Sequence, residues 1–375
     1  QYSDPRRAGY LEGADGAVHR GARSDGGNGP RKDLPQHGPG WARRPFHGEV
    51  LMTVARPVVA VTRRMPERVL AALEASCEVV GGRDDTPATQ DELAEMLVRA
   101  DGILCTVTDS LPAALFGRVP PRARILANFG VGVNHIDLAA VRASGIRVSN
   151  TPDQLSEATA DLTLGLMLMT LRRLGEGERR LRAGKWEGWG PTDFLGHDLY
   201  GRRLGLIGFG RIGQAVARRA ALGFGMTVKF HTRTRWATDD VPPFVEQAES
   251  LEALLADSEI VSLHLPATPE TRNLFDEPRL RLIPRGGWLI NTARGTIVDE
   301  AALVRVLADG HLAGAGLDVF EREPVVTPEL LAFPGVALLP HMGSATVAAR
   351  EAMGMRAVAN LLAFFAGQPL LDPVA

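Results

Sequence analysis

Apolar residues in this chain form short runs separated by amphipathic segments, a pattern typical of alternating strands and helices. In the middle of the chain, a run at 204–207 leads into a glycine-rich turn, a segment with helical spacing and a second strand-like run at 226–232. Four more strand-like runs follow, at 260–265, 287–291, 314–319 and 336–339. Helical patterns at 251–255 and 300–307 separate some of them, so the pattern predicts a doubly wound parallel sheet.

The region before this sheet predicts a smaller α/β unit of its own. Its strand-like runs lie at 58–61, 102–107 and 125–129, and its helix-like runs lie at 69–73 and 91–97. Residues 152–173 are apolar on most faces, which predicts a helix buried between the two units.

Residues 1–51 are rich in glycine, arginine, aspartate and proline and lack apolar periodicity. They are predicted to be a disordered extension, because such a segment buries too little apolar surface to offset the entropy of ordering. The folded pattern begins just after Met52, which we expect to be the natural start.

Composition narrows the class of protein. With 375 residues, the chain is long enough for two domains, and a net charge of −2 gives no indication of binding to nucleic acid or an anionic membrane. The longest apolar stretch, 162–171, is too short to span a bilayer. Only two cysteines are present, Cys77 and Cys105, which excludes a disulfide framework, and we expect a cytoplasmic protein.

The glycine turn carries the first candidate chemistry. Gly208, Gly210 and Gly213 form a G-x-G-x-x-G between two strand-like runs, the context in which a Rossmann-type domain binds a dinucleotide. The three glycines allow a tight turn, close approach of the backbone to a pyrophosphate, and close packing of helix on strand. The pyrophosphate would lie at the helix N-terminus, where free N–H groups favour anions.

The end of the second strand indicates which dinucleotide binds. NAD-specific folds place an acid there for the ribose 2′-OH. Here Thr232 takes that place, Arg233, Thr234 and Arg235 follow, and no acid appears before Asp239. Guanidinium groups suit a 2′-phosphate, so we predict NADP(H) in preference to NAD(H). The alternative interpretation is a solvated basic loop.

Three polar residues follow strand-like runs where ligands bind in such sheets. Arg294 could bind a carboxylate and polarise a carbonyl, and His341 could donate a proton to a carbonyl that receives a hydride. Glu323 could stabilise the protonated imidazole, whereas Glu321 is better explained as a solvated loop acid. Each could be structural by itself, as a salt bridge, a core histidine or a loop acid, but the set is more specific than any member.

At these residues the chain resembles the D-isomer-specific 2-hydroxyacid dehydrogenases, from about Pro57 to the C-terminus. The shared motifs are the glycine turn, Asn291-Thr292-Ala293-Arg294-Gly295, 318–324 and 340–346. Within the family, the loop Trp186-x-x-Trp189-x-Pro191, the basic residues 233–235 and the run His341-Met342-Gly343-Ser344-Ala345-Thr346 are most similar to glyoxylate/hydroxypyruvate reductases.

The resemblance implies an NADPH-preferring reductase of small 2-oxo acids, which converts glyoxylate to glycolate and hydroxypyruvate to D-glycerate. It implies that Arg294 binds the substrate and that His341, paired with Glu323, donates the proton. Substrate would also contact Val131 and Gly132 through backbone N–H groups, Leu104, and Trp189 from a neighbouring subunit. Besides the glycine turn and residues 232–235, the implied cofactor contacts are Thr159, Arg211, Ile212, Leu265, Pro266, Thr292, Ala293, Asp318, His341 and Gly343. No metal is implied.

The resemblance also implies a domain organisation. Residues 152–343 would form the NAD(P)-binding Rossmann domain, and 52–151 with 344–375 would form a smaller flavodoxin-like substrate domain, completed by a helix within 345–365. A homodimer is implied. The chain departs from the family pattern at Thr232, in place of the usual acid, and in residues 1–51, which have no counterpart.

Other functions remain open at this stage. Another D-2-hydroxyacid dehydrogenase, of the D-3-phosphoglycerate or D-lactate type, shares the chemistry, although a D-3-phosphoglycerate enzyme would usually keep the acid at position 232. A formate dehydrogenase of this fold carries glutamine where Glu323 stands. A nucleotide-sensing corepressor-like scaffold shares the fold but has no need of the set Arg294, Glu323 and His341.

Overall fold

A computed structural model of the chain describes residues 55–82 and 84–374. The predicted disordered extension, 1–51, lies outside the described residues. In the described part, the strands pair in parallel into two sheets with helices on both faces of each. None of the helices in this part is both long and apolar enough to cross a membrane.

The first sheet has the strand order β2-β1-β3-β4-β5, which is the flavodoxin-like order. Its strands are β1 (Val58–Val61), β2 (Glu78–Gly81), β3 (Gly102–Thr106), β4 (Ile125–Phe129) and β5 (Arg147–Ser149). The helices between them are α1 (Glu67–Glu74), α2 (Gln90–Arg99), α3 (Ala113–Arg118) and α4 (Leu138–Ala143). Thr89 and Glu92 form a reciprocal capping box at the start of α2, which satisfies N–H groups that a helix leaves free.

Two helices connect the sheets, α5 (Ser156–Leu171) and α6 (Leu174–Arg182). As predicted from its apolar faces, α5 is largely buried; it packs against the second sheet through Leu164, Leu166 and Met167. It begins at Ser156, four residues later than predicted. Pro152 precedes a bend at Asp153, where φ is +71°, and the helix starts only after the turn that follows.

The second sheet has the order β12-β11-β10-β9-β6-β7-β8. Its strands are β6 (Arg203–Ile207), β7 (Thr227–His231), β8 (Glu246–Gln247), β9 (Ile260–Leu263), β10 (Gly287–Asn291), β11 (Leu312–Leu317) and β12 (Val336–Leu338). The helices are α7 (Arg211–Arg218), α8 (Leu251–Asp257), α9 (Glu277–Leu280), α10 (Glu300–Ala308), α11 (Pro328–Ala332) and α12 (Val347–Phe365). The order reverses between β6 and β9, which is where a doubly wound sheet binds its ligand. The predicted α/β fold class is therefore confirmed.

The last helix, α12, packs on the first sheet although it follows the second. Thr346 caps it by accepting the Ala349 N–H at 3.1 Å. Met353 and Leu361 join the apolar core formed by β1, β3, β4 and α1. Gly354 sits so close to Val69 that a Cβ would overlap it, so this contact needs glycine.

Candidate functional site

A cleft of about 1680 Å³ lies between the carboxyl ends of the strands of both sheets. It contains all three predicted catalytic residues, Arg294, Glu323 and His341. The cleft is also lined by ten of the other predicted cofactor contacts: Thr159, Gly210, Arg211, Ile212, Leu265, Pro266, Thr292, Ala293, Asp318 and Gly343. Residues far apart in the sequence therefore converge on one concave surface.

The glycine turn that enters α7 has the geometry that a bound pyrophosphate requires. Gly208 has φ +96°, and a Cβ there would lie 2.5 Å from the His264 carbonyl oxygen. A Cβ on Gly213 would lie 2.5 Å from the carbonyl oxygen of Gly208, so helix and strand are in close contact there. At Gly210, by contrast, a Cβ would meet nothing within 4 Å, which leaves space for a ligand against the backbone. The residues present thus fit a dinucleotide.

The basic segment follows β7 beside this turn, because the Gly208 N–H donates to the His231 carbonyl at 2.8 Å. Thr232 is half-buried, and Arg233, Thr234 and Arg235 are exposed. Among the described residues, neither Arg233 nor Arg235 has a carboxylate within ion-pair distance. The four residues do not line the cleft itself.

His341 and Glu323 form a hydrogen-bonded pair, with His341 Nδ1 and Glu323 Oε2 2.7 Å apart. The other carboxylate oxygen of Glu323 accepts the Phe320 N–H at 3.1 Å. Burial acts to raise the pKa of Glu323, but the hydrogen bond and charge of His341, the Phe320 N–H and the charge of Arg294 together hold that pKa below its usual value. Glu323 is therefore an ionised partner for the imidazole at neutral pH.

Asp318 holds the turn that carries His341. His341 has φ +54°, a conformation that L-residues seldom adopt. The Asp318 carboxylate accepts the N–H groups of Met342 and Gly343 at 2.6 and 2.8 Å, and its carbonyl accepts the N–H of His341 at 2.8 Å. Burial raises the pKa of Asp318, and the two backbone hydrogen bonds oppose that rise.

Arg294 follows β10 and reaches across the cleft toward the first sheet. Its Nε donates to Asn134 Oδ1 at 3.0 Å, and its Nη1 donates to the Ala293 carbonyl at 2.7 Å. A Cβ on Gly132 would overlap Nη2, so the guanidinium lies directly against that turn. Burial lowers the pKa of Arg294, and the negative charge of Glu323 opposes that change.

The turn after β4 presents backbone donors to the cleft. Asn128 Nδ2 donates to the carbonyls of Gly130 and Gly132 at 2.9 and 3.0 Å, and Asn150 Nδ2 donates to the carbonyl of Val131 at 2.9 Å. The three backbone carbonyls of the turn are therefore all bound by side-chain amides. In the described part of the chain, the N–H groups of Val131 and Gly132 have no acceptor, which suits a carboxylate ligand.

Two residues predicted to contact substrate lie outside the cleft. Leu104 is fully buried in β3, within the core between the first sheet and α12, and does not line the cleft. Trp189 lies on the loop after α6 with 84% of its surface exposed. Within this chain alone, it therefore contacts no site residue in the cleft.

Several cleft residues escaped the sequence analysis. Asn134 contacts Arg294 directly, Asp153 pairs with Arg211, and Arg350 from α12 stands over the ring of Phe129. Asn134 lies two residues after Gly132, an expected substrate contact, so its position was the available signal. Asp153 and Arg350 had none, because their roles depend on tertiary packing.

Comparison with known proteins identifies the class. Residues 164–343 match the family model for the NAD binding domain of D-isomer specific 2-hydroxyacid dehydrogenases. The chain is 42% identical to the glyoxylate reductase of Thermococcus onnurineus over 322 residues. This alignment covers 84% of this chain and 94% of that protein. The chain is an oxidoreductase that belongs to the D-isomer-specific 2-hydroxyacid dehydrogenase family.

Within that family its relatives include further reductases. The Pyrococcus furiosus glyoxylate reductase is 40% identical over 317 residues, 84% of this chain and 94% of that protein. An NADPH-dependent glyoxylate/hydroxypyruvate reductase from Sinorhizobium meliloti, solved with NADP and malonate, is 40% identical with a TM-score of 0.76, covering 86% of this chain and 97% of that one.

Proposed function

We propose that this protein is an NADPH-preferring reductase that converts glyoxylate to glycolate and hydroxypyruvate to D-glycerate. The observation that carries the proposal is the convergence of Arg294 and the His341–Glu323 pair on one cleft with the glycine turn. The glyoxylate reductases to which the chain is similar support the choice of substrates.

The substrate carboxylate would bind the free N–H groups of Val131 and Gly132 and the Nη2 edge of Arg294. The same guanidinium would draw electron density from the substrate carbonyl and stabilise the negative charge that develops on its oxygen. Both interactions hold the reacting carbon in one orientation, which lowers the entropic part of the barrier.

Protonated His341 would give its proton to the carbonyl oxygen through Nε2, because Nδ1 is engaged by Glu323. NADPH, when bound, supplies the hydride that reaches the carbonyl carbon. Glu323 would fix the orientation of the imidazole by holding its Nδ1 edge, which leaves Nε2 as the nitrogen that can reach the substrate.

The domain assignment follows the two sheets. We propose that 152–343 is the cofactor domain and that 52–151 with 344–375 is the substrate domain. The packing of α12 on the first sheet supports the discontinuous boundary. The cleft lies between the two, so closing it would exclude water from the reacting atoms.

The proposal is tested by measuring kcat/KM for glyoxylate, hydroxypyruvate and pyruvate, with NADPH and with NADH, on the purified chain. The highest values are expected for glyoxylate and hydroxypyruvate with NADPH. D-3-phosphoglycerate and D-lactate oxidation in the same buffer test the other members of the class. No turnover of any of these compounds would favour a scaffold role.

Changing Arg233 to aspartate is expected to shift preference from NADPH toward NADH. The carboxylate would repel a 2′-phosphate and accept from a 2′-OH instead. The ratio of kcat/KM for the two cofactors measures the shift, expected to be on the order of 10-fold or more, since a hydrogen bond to a charged group contributes about 1.5–3 kcal/mol. R142D, in α4, is the matched control, because Arg142 is exposed and lies away from the glycine turn. An unchanged ratio in R233D would refute the 2′-phosphate assignment.

We propose a homodimer formed through the segment that includes α6 and the loop after it. Large apolar residues on this segment are exposed to an extent unusual for an isolated monomer: Leu174, Leu181, Trp186, Trp189, Leu195 and Tyr200. A second copy of the chain is the occupant we infer, with Trp189 reaching the partner's cleft.

Mixing two inactive variants tests this arrangement. W189A and H341A are each expected to be impaired as homodimers. After subunit exchange, a heterodimer would hold one complete site, in which the W189A chain supplies His341 and the H341A chain supplies Trp189. The expected result is recovery of activity, up to one active site in each heterodimer. Light scattering would confirm that the protein is a dimer. No recovery despite proven exchange would place Trp189 outside the neighbouring site.

A further inference from the structure

Asn134 joins the two halves of the cleft through a single hydrogen bond. It lies in the turn after β4 of the first sheet, whereas its partner Arg294 follows β10 of the second sheet. The bond from Arg294 Nε to Asn134 Oδ1 is 3.0 Å long, a good length for this pair of atoms. The side chain of Asn134 is exposed, so a requirement of the core does not explain it.

The hydrogen bonds of Arg294 define which edge of its guanidinium remains available. Nε donates to Asn134 and Nη1 donates to the Ala293 carbonyl, which fixes the plane of the group from two directions. In the described part of the chain, Nη2 has no acceptor, and it adjoins Gly132, whose N–H is likewise free. An anion bound at this corner would meet both donors at once.

The chemistry of the amide matters as much as its position. The amide of Asn134 is neutral, and among the described residues Arg294 has no carboxylate within ion-pair distance. Its charge is therefore available to a substrate carboxylate. An acid at position 134 would hold the same nitrogen but would neutralise part of that charge.

We propose that Asn134 is a positioning residue that orients Arg294 for the 2-oxo acid and ties that orientation to closure of the cleft. The proposal rests on the proposed function. Because the two residues follow strands of different sheets, an opening that moves the two turns apart would break the bond and free the guanidinium. Asn134 acts through Arg294 and need not touch the substrate.

Two variants at position 134 separate positioning from charge. N134A removes the acceptor, so kcat/KM for glyoxylate is expected to fall by about 10- to 100-fold, the scale of a misplaced catalytic group. N134D keeps an oxygen at the same place, so kcat is expected to return to within about threefold of wild type, while KM for glyoxylate rises several-fold because the carboxylate competes for the charge of Arg294. KM for NADPH is expected to stay within about twofold of wild type in both, since Asn134 lies away from the glycine turn.

A double-mutant cycle and a binding measurement complete the test. If Asn134 acts through Arg294, N134A in an R294K background is expected to cost much less than in the wild type. Oxamate, a 2-oxo acid analogue that is not reduced, is expected to bind N134A at least fivefold more weakly than wild type when titrated in the presence of NADP⁺. Additive effects, or equal oxamate affinities, would overturn the role of Asn134. If the wild-type protein bound oxamate but reduced no 2-oxo acid, the proposed function would be overturned. The role of Asn134 would then be decided by the oxamate affinities of N134A and wild type alone.

Discussion

Replacing His341 with glutamine is expected to lower kcat for glyoxylate reduction by on the order of 10² to 10⁴, the usual cost of losing a general acid. Glutamine approximates the size of the imidazole and can still contact Glu323, but it has no proton to give at neutral pH. KM for NADPH is expected to change little. The measurement is steady-state kinetics with saturating NADPH over a range of glyoxylate concentrations.

H311Q is the matched control for this substitution. His311 precedes β11 at the amino end of the strand, opposite the cleft, and its Nε2 contacts the Ile283 carbonyl at 2.8 Å. Its kcat is expected to equal that of wild type. If H341Q kept kcat within threefold of wild type, His341 would be excluded as the proton donor.

The pH dependence of kcat/KM tests the pairing of His341 with Glu323. Wild-type kcat/KM for glyoxylate is expected to fall at acid pH, because Glu323 orients the imidazole of His341 through its ionised carboxylate. Since the pKa of Glu323 lies below its usual value, its carboxylate loses its charge only as the pH falls through that lowered pKa, well on the acid side of neutrality. In E323Q no carboxylate titrates at this position, so the acid fall is expected to be absent from its profile. Superimposable profiles would contradict the pairing.

The convergence of the catalytic residues could be predicted from local sequence because parallel strands end at a common edge. Arg294 and His341 each follow a strand-like run closely, Asp318 lies at the end of another, and the doubly wound order places those ends together. The ends of the strands are less well defined by the sequence. The pattern predicts a strand over 260–265, but β9 ends at Leu263, and Leu265 lines the cleft.

Which face of a strand a residue occupies was not predictable where the strand is buried on both sides. The run at 102–107, which contains Leu104, has Thr106 as its one polar residue, so it lacks the alternation that distinguishes two faces. Leu104 was expected in the pocket and lies in the core instead. The bond between Asn134 and Arg294 joins residues 160 positions apart, and no local pattern records such a contact.

Replacing Arg294 with methionine is expected to lower kcat/KM for glyoxylate by on the order of 10³ to 10⁵. That range combines the loss of a charged hydrogen bond to the carboxylate, about 1.5–3 kcal/mol, with the loss of charge stabilisation on the developing oxyanion, about 2.7–4 kcal/mol. Methionine keeps much of the apolar stem but lacks the guanidinium, so the contacts of that group with Gly132 and with the Ala293 carbonyl are lost together with its charge. KM and kcat are measured separately for glyoxylate, and the affinity for NADPH is measured by fluorescence as a control.

How the loss divides between KM and kcat decides what Arg294 does. A residue that only holds the carboxylate raises KM and leaves kcat unchanged, whereas one that also polarises the carbonyl lowers kcat as well. Because Nη2 lies against Gly132 and Arg294 lines the same cleft as His341, we expect both changes. Added guanidinium is expected to restore part of kcat in R294A, where the whole side chain beyond Cβ is missing. A rise in KM alone would leave substrate binding as the role of Arg294 and would assign the stabilisation of charge on the oxygen to His341.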